Sequence, residues 1–493
     1  MTRIETISTM GPEVAHGEDV WWRSRIPGLR DSVSGRDALA GEPPRRLVLI
    51  ALALMSIAIT LVFIAVARAP EMSITDEPAH AGYLYDIAHG HVPAKGSLVP
   101  TEIRYEWYCH DQAADTGSST CTGFDKSTFQ TSAQVYTFGD PPVYYIVTGL
   151  LVRAISPIVP GTHNFITVGR DLGALWLFAA MIVLYLAARR MRVSWPYALA
   201  AAALLPLCPG ILAASTETTS DAPAALCGAL ALYAFARLTV HRRTGLVLPF
   251  LFTVFATGTK VLNGMPMLVV AAVALVLAAG ELRRVRRWRA AVRPFLVAVV
   301  IGFGFLLTDL GWSKFQAGRG DPNWVNPNAA NGAPLTGSKA GDFLSNLFDT
   351  FQHLTTSYYL QPEISGETLV IWATLLCVLL GAAPLIVMAV SRSWSWGWLL
   401  GLGTFAGLCA VVLAVQAQMF MENDQYFQIV SARYALSFLP WVIVCLAVVA
   451  YRRRLRRTSF AVVSLGLLTV LLAETGVLTL GPALVSHTSF LIG

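Results

Sequence analysis

Polar and apolar positions in this chain gather into long blocks rather than alternating. After a polar stretch ending near residue 44, apolar runs recur at about 46–67, 170–188, 195–213, 222–238, 246–262, 265–280, 294–310, 368–390, 397–416, 434–451 and 459–480. A helix of about 20 residues crosses a hydrocarbon core about 30 Å thick. In lipid such runs must be helical, because a helix satisfies its backbone hydrogen bonds internally. The pattern predicts an all-α polytopic membrane protein with about 11 transmembrane helices.

A further apolar stretch, "PPVYYIVTGLLVRAISPIV" (141–159), opens on two prolines and is interrupted by Arg153. If it spanned, every later arginine cluster would change sides. Left in the interface, it lets all the clusters fall on one face, so it is read as an interfacial helix. Residues 1–45 then form a flexible cytoplasmic tail, and 46–493 a single transmembrane domain. Two long polar loops, 68–169 and 311–367, face outward, and shorter outer junctions lie at 214–221, near 263 and at 417–433.

Composition agrees with this picture. The chain is 55% hydrophobic and only 13% charged, which excludes an ordinary soluble protein. Its net charge of +6 is not a nucleic-acid signal. The arginines sit in short loops, including Arg45 and Arg46, Arg189 to Arg192, Arg237 to Arg243, Arg283 to Arg293 and Arg452 to Arg457. That is the positive-inside pattern, and it places the N-terminus in the cytoplasm of a plasma (inner) membrane protein. A basic loop such as "RRVRRWR" (283–289) also suits contact with anionic membrane lipids. Of seven cysteines, only Cys109 and Cys121 fall in the outer loops, which suggests a disulfide in an oxidising exterior.

The candidate chemistry gathers on the outer side. "SITDEPAHAGYLYDIAHG" (73–90) follows the first span and holds Asp76, Glu77 and His80. Thr75 or Asp76 can cap a helix with Pro78 in its first turn. A carboxylate at a helix N-terminus stays ionised near neutral pH, which suits a general base. The same side is expected to carry Asp140, Arg170, Glu217, Asp221, Lys260, Arg433 and Tyr434. Charges near the hydrocarbon are costly, so their gathering on one face points to a site. Three cations, Arg170, Lys260 and Arg433, suit a lipid phosphate, and Asp76 and Glu77 suit an acceptor hydroxyl. Together they describe transfer of a sugar from a lipid-phosphate carrier to an acceptor outside the membrane, an inverting displacement for which one base suffices. A divalent metal on Asp76 and Glu77 is left open. In the second outer loop, Trp324, Tyr358 and Tyr359 could stack on sugar faces, with Asp321, Asn326 and Asn328 bonding hydroxyls; an interface belt is the alternative. "HGH" (89–91) lacks the further ligands that a metal site needs. The alternatives are a secondary transporter or flippase of envelope precursors, or a non-catalytic membrane scaffold; a transporter requires charges near the midplane and broken helices there, whereas these runs carry few ionisable groups and only Pro206 and Pro209 could break the third.

The motifs "DEPAH" after the first span, "DPPVYY", "GRDLGALW", "TK" at the end of a middle span and "ARYALSFLP" late in the chain resemble the GT-C superfamily of polyprenyl-phosphate-sugar-dependent glycosyltransferases. They extend over about residues 46–451. The resemblance implies a polyprenyl-phosphate-linked sugar donor and a glycan or lipid acceptor, with Asp76 as base or metal ligand and Glu77 beside it. It also implies that Lys260 and Arg433 hold the carrier phosphate. Position 140 departs from the family pattern, where histidine or glutamine commonly precedes the two prolines.

Overall fold

The computed structural model describes residues 43–68, 72–73, 76–109, 129–158, 165–241, 245–285, 288–327, 333–334, 341, 381–423, 425–426 and 430–474. Among these the regular structure is helical, apart from one short antiparallel pair, β1 (Ala333–Pro334) with β2 (Gln425–Tyr426), and two isolated bridges, Lys95 with Gly320 and Leu98 with Gln134. The helices are α1 (Pro44–Arg68), α2 (Glu77–Ala88), α3 (Thr101–Cys109), α4 (Val143–Ile155), α5 (Phe165–Asp171) and α6 (Gly173–Arg190). Next come α7 (Trp195–Leu204), α8 (Pro209–Thr216), α9 (Ala224–Thr239), α10 (Val247–Thr259), α11 (Met265–Val285) and α12 (Trp288–Ala317). The last are α13 (Gly381–Val390), α14 (Trp396–Asn423), α15 (Leu439–Arg452) and α16 (Arg456–Glu474).

Among the described residues, 6 helices are long and apolar enough to cross a membrane, or 7 if the bent pair α7 and α8 forms one span. Several of the expected spans are shorter helices here, among them Ala224–Thr239 and Val247–Thr259, so length and composition do not fix the count at eleven. Most of the run at 368–390 lies outside the described residues. The bend between α7 and α8 is 64°. Its cause is local: Cys208 is extended (φ −83°, ψ 108°) and is flanked by Pro206 and Pro209, and proline removes the donor that a continuous helix needs. Helix α4 has 13 residues, about 20 Å of rise, too short to cross alone. It buries Tyr144, Tyr145, Thr148, Gly149 and Val152 and leaves Ile146, Val147, Leu150 and Leu151 exposed.

Charge segregates to the two ends of the bundle. At one end, the guanidinium groups of Arg46 and Arg456 lie over the same Trp195 ring, at 5.2 and 5.9 Å from its centroid. This brings the starts of α1, α7 and α16 together. His241 Nε2 meets the Arg190 carbonyl at 3.0 Å, and Arg452 donates to the Val390 carbonyl at 3.1 Å. Arginines from three clusters along the chain therefore sit at helix ends that contact one another or their neighbours. The opposite end carries the "DEPAH" segment, the junction after α8, the end of α10 and the approach to α15.

Two glycines allow this packing. A Cβ at Gly173 would overlap the Ser215 carbonyl, and one at Gly228 would overlap the Ser437 carbonyl. The second contact seats the segment before α15 directly against α9, where Trp441 Nε1 also donates to the Gly228 carbonyl at 3.1 Å.

Candidate functional site

The site begins where α2 begins. Asp76 occupies the N-cap position but makes no capping bond, and its backbone is left-handed, with φ 61°. The expectation that Asp76 serves as a helix cap is therefore corrected. Its carboxylate turns instead toward two distant parts of the chain. Tyr136 donates to Oδ1 at 2.6 Å, and Arg433 Nη2 donates to Oδ2 at 2.5 Å. Burial alone would raise the pKa of Asp76, but the Arg433 charge, His80 and the two hydrogen bonds outweigh it and hold the carboxylate well below its usual range. Asp76 is an anion at any physiological pH.

Glu77, its neighbour, points the other way. It is fully buried and paired with Arg170, which donates Nε to Oε1 and Nη2 to Oε2, both at 2.7 Å. Glu77 also accepts from the Ser73 amide at 2.7 Å and the Thr218 amide at 2.8 Å. Four donors on two oxygens leave this carboxylate little capacity for a substrate. It ties α2 to α5 and to the junction after α8. The two acids expected to act together thus divide into one group facing the cations and one structural strut. Arg170 is likewise engaged by Glu77, through two of its guanidinium nitrogens. The Asp76 and Glu77 carboxylates do not converge, and no group of three metal-ligating side chains occurs among the described residues.

The remaining groups converge near Asp76. Lys260, at the C-terminal end of α10, donates to Asp221 Oδ1 at 2.7 Å. Asp221 is held in its anionic form: burial opposes this, and the Lys260 charge with its hydrogen bond, together with Arg433, prevails. The ring of Tyr434 lies between the two cations, 5.4 Å from Lys260 Nζ and 5.3 Å from the Arg433 guanidinium. Asp140 accepts from Ser220 at 2.8 Å and from Tyr145 at 3.3 Å. The buried His80 meets the Tyr145 hydroxyl through Nδ1 at 2.6 Å. Burial lowers the His80 pKa against the pull of Asp140 and Asp76, so the imidazole is neutral near pH 7. Glu217 is half-buried just past α8, and its neighbour Thr218 is the residue that reaches Glu77.

Sequence reasoning missed Tyr136, Tyr145 and Ser220. Tyr145 stands inside "DPPVYY" and Ser220 inside "STETTSDAP", so both were within reach; Tyr136 lies in no motif. In the second outer loop, Trp324 donates to Gln134 Oε1 at 2.7 Å and packs edge-on against Phe138. Asp321 Oδ1 accepts from the Asn323 amide at 2.9 Å, a local turn. Asn326 is half-buried in that loop, while Asn328, Tyr358 and Tyr359 lie outside the described residues. Cys109 is disulfide-bonded, and its expected partner Cys121 lies outside the described residues.

Comparison with known proteins adds a family. Residues 147–312 match the model of the dolichyl-phosphate-mannose-protein mannosyltransferase family. The chain resembles that family across α5 to α11 and most of α4 and α12. This region contains Arg170, Asp221 and Lys260, but neither Asp76 nor Arg433. No curated protein matches. Among solved structures, the chain is similar to ArnT from Cupriavidus metallidurans, crystallised bound to undecaprenyl phosphate, at 15% identity and a TM-score of 0.47. The likeness covers 87% of this chain and 64% of that one.

Proposed function

We propose that this protein is a membrane glycosyltransferase that moves a sugar from a polyprenyl-phosphate donor to a hydroxyl acceptor of the cell envelope, a glycan or a lipid. The observation that carries the proposal is the contact between Asp76 and Arg433, with the Lys260–Asp221 pair beside it and Tyr434 between the cations. An acid held as its anion by its partners lies next to two cations at the end of the bundle opposite the arginine clusters. The family match over residues 147–312 supports the same class of chemistry.

In the reaction, the acceptor oxygen attacks the anomeric carbon while the bond from that carbon to the phosphate oxygen breaks. The acceptor proton passes to Asp76. The carrier phosphate leaves with the bonding pair and one additional negative charge, which Arg433 and Lys260 stabilise. A single displacement inverts the anomeric configuration. One base suffices, because a departing phosphate needs little protonation. Glu77 and Arg170 position the start of α2. The active site is assigned to the outer face of the plasma membrane, with the arginine-rich end and the N-terminus in the cytoplasm.

Among the described residues, the bend between α7 and α8 favours a transporter. Against it, the ion pairs described here sit at helix ends rather than at mid-span. Envelope glycan analysis in a deletion strain, complemented with wild type or Asp76→Asn at equal expression, decides the question. A linkage restored only by wild type establishes the transferase and names the sugar. Restoration by both would reject it.

A further inference from the structure

We propose that the arginine-rich end of the bundle carries a separate lipid site, in which Arg46, Arg456 and the indole N–H of Trp195 hold the phosphate of an anionic phospholipid. Such a site is independent of the transferase reading. Two guanidinium groups share one indole ring, at 5.2 and 5.9 Å from its centroid. Like charges brought this close repel each other, and an anion bridging them turns that cost into attraction.

Two tight turns and one helix start bring these donors together. Helix α6 turns into α7 through Arg192, and α15 turns into α16 through Arg454, both left-handed, with φ 64° and 57°. In each turn the next amide reaches back into the ending helix. Val193 donates to the Ala188 carbonyl at 3.1 Å, and Leu455 donates to the Ala450 carbonyl at 2.9 Å. Glycine normally fills that left-handed position, and here both turns keep an arginine. Trp195 then begins α7, Arg456 begins α16, and Arg46 lies in the first turn of α1. The floor beneath is packed. Tyr197 meets Tyr451 edge-on at 5.5 Å, and Val463 of α16 lies against Ala200 and Ala203 of α7.

Other arginines at this end are used inside the protein. Arg189 donates to the Val193 carbonyl at 2.7 Å, and Arg190 lies over the Tyr233 ring at 5.3 Å. Arg452 donates to the Val390 carbonyl and to Ser391 Oγ. Among the described residues, the Arg456 guanidinium forms no ion pair or hydrogen bond, and the Trp195 indole N–H forms none either. Guanidinium groups bind phosphate oxygens in pairs, and an indole N–H is a donor with no other use. The surroundings suit acyl chains rather than a soluble anion. Leu49 and Leu52 on α1, and Val462 and Leu465 on α16, are at least half exposed and follow the two arginines along their helices. Basic pockets between transmembrane helices on the cytoplasmic side take anionic headgroups in this way.

Binding is tested on the full chain in neutral detergent micelles to which lipid is added back. Dioleoylphosphatidylglycerol, tetraoleoyl cardiolipin, zwitterionic dioleoylphosphatidylcholine and inorganic phosphate are the probes. Native mass spectrometry reads retention, and the thermal unfolding temperature reads stabilisation. The variants are Arg46→Gln with Arg456→Gln, Trp195→Phe and, as a control, Arg283→Gln with Arg289→Gln. The control pair removes the same charge from exposed positions of the same end. Wild type should retain an anionic lipid, and neither phosphatidylcholine nor inorganic phosphate should replace it. The first pair should lower affinity tenfold or more, the control pair less than twofold. Trp195→Phe keeps the ring without the donor and should weaken binding by a smaller factor. Unfolding without lipid shows that each variant is folded; if the first pair is not, Arg456→Gln alone, at an exposed position, carries the comparison. Equal losses from both pairs would reduce the effect to general attraction between this end and anionic lipid, and would overturn the site. Unchanged retention in the first pair, no retention by wild type, or stabilisation by inorganic phosphate as large as by lipid would overturn it as well.

Discussion

Arg433 donates its Nη2 to Asp76 Oδ2 at 2.5 Å, joining residues 357 positions apart in the sequence. The proposed base and the proposed phosphate clamp therefore neutralise each other before any substrate is present. Asp221 and Lys260 repeat the arrangement alongside. A carrier phosphate that draws Arg433 toward itself also withdraws the cation that suppresses the basicity of Asp76. Donor binding and activation of the base then become one event.

The Glu77–Arg170 pair gives the first prediction. With side-chain exposures of 0% and 2%, neither charge has water to fall back on. Removing one partner of such a pair costs about 3–5 kcal/mol, whereas replacing both by apolar residues costs much less. Glu77→Met and Arg170→Met should each lower the thermal unfolding temperature sharply, and the double variant should recover much of the loss. If Glu77→Gln unfolds like the wild type yet abolishes transfer, Glu77 acts in the chemistry and its role as a strut is wrong.

The fold class was legible because lipid leaves a chain few options: apolar runs of spanning length must be helices, and arginine clusters report their sides. That reasoning left α4 in the interface; α4 has 13 residues, but so has α10, which it read as a span, so length does not separate the two. It also grouped Asp76, Asp140, Asp221, Lys260 and Arg433, which the structure brings together. What it could not do was sort neighbours. Asp76 and Glu77 are adjacent in sequence, and only three-dimensional partners from α5 and the loop at Tyr136 separate the carboxylate that faces Arg433 from the one held by Arg170. A one-residue turn at the start of a helix changes the direction by far more than any spacing argument resolves.

Gly228 is a packing prediction. Any Cβ there overlaps the Ser437 carbonyl, in the segment that leads from Arg433 into α15. Overpacking typically costs about 1–3 kcal/mol. Gly228→Ala should therefore destabilise by that order and displace Arg433, lowering transfer more than Gly280→Ala, whose Cβ meets nothing within 4 Å. Thermal unfolding and activity of the two variants side by side provide the check, and equal behaviour would refute the contact.

Tyr136 supplies a pH prediction. Its hydrogen bond is one of the influences that depress the Asp76 pKa. Tyr136→Phe removes that donor, so the folded-state pKa rises and the acid limb of the transfer rate moves to higher pH. The stability consequence has a definite sign. A depressed carboxylate contributes stability above its unfolded value of about 3.9 and loses it as pH falls toward the folded value. Wild type should thus lose the contribution of Asp76 only in acid below about pH 4, and Tyr136→Phe should lose part of it at every higher pH. A rate profile of Tyr136→Phe superimposable on that of wild type would show that Tyr136 does not tune the base.

The arrangement around Arg433 makes Asp76→Asn do two opposite things. Loss of the base should lower transfer by about 10²–10⁴, the usual contribution of general base catalysis. The asparagine amide no longer competes as an anion for Arg433, so that cation is released to the phosphate. Undecaprenyl phosphate should therefore bind Asp76→Asn more tightly than wild type, while Arg433→Gln and Lys260→Met should both weaken it. Equilibrium binding of undecaprenyl phosphate to the four proteins in nanodiscs measures this directly. If Asp76→Asn binds more weakly, the carboxylate organises the phosphate site instead of competing with it, and the proposed coupling between donor binding and base activation falls.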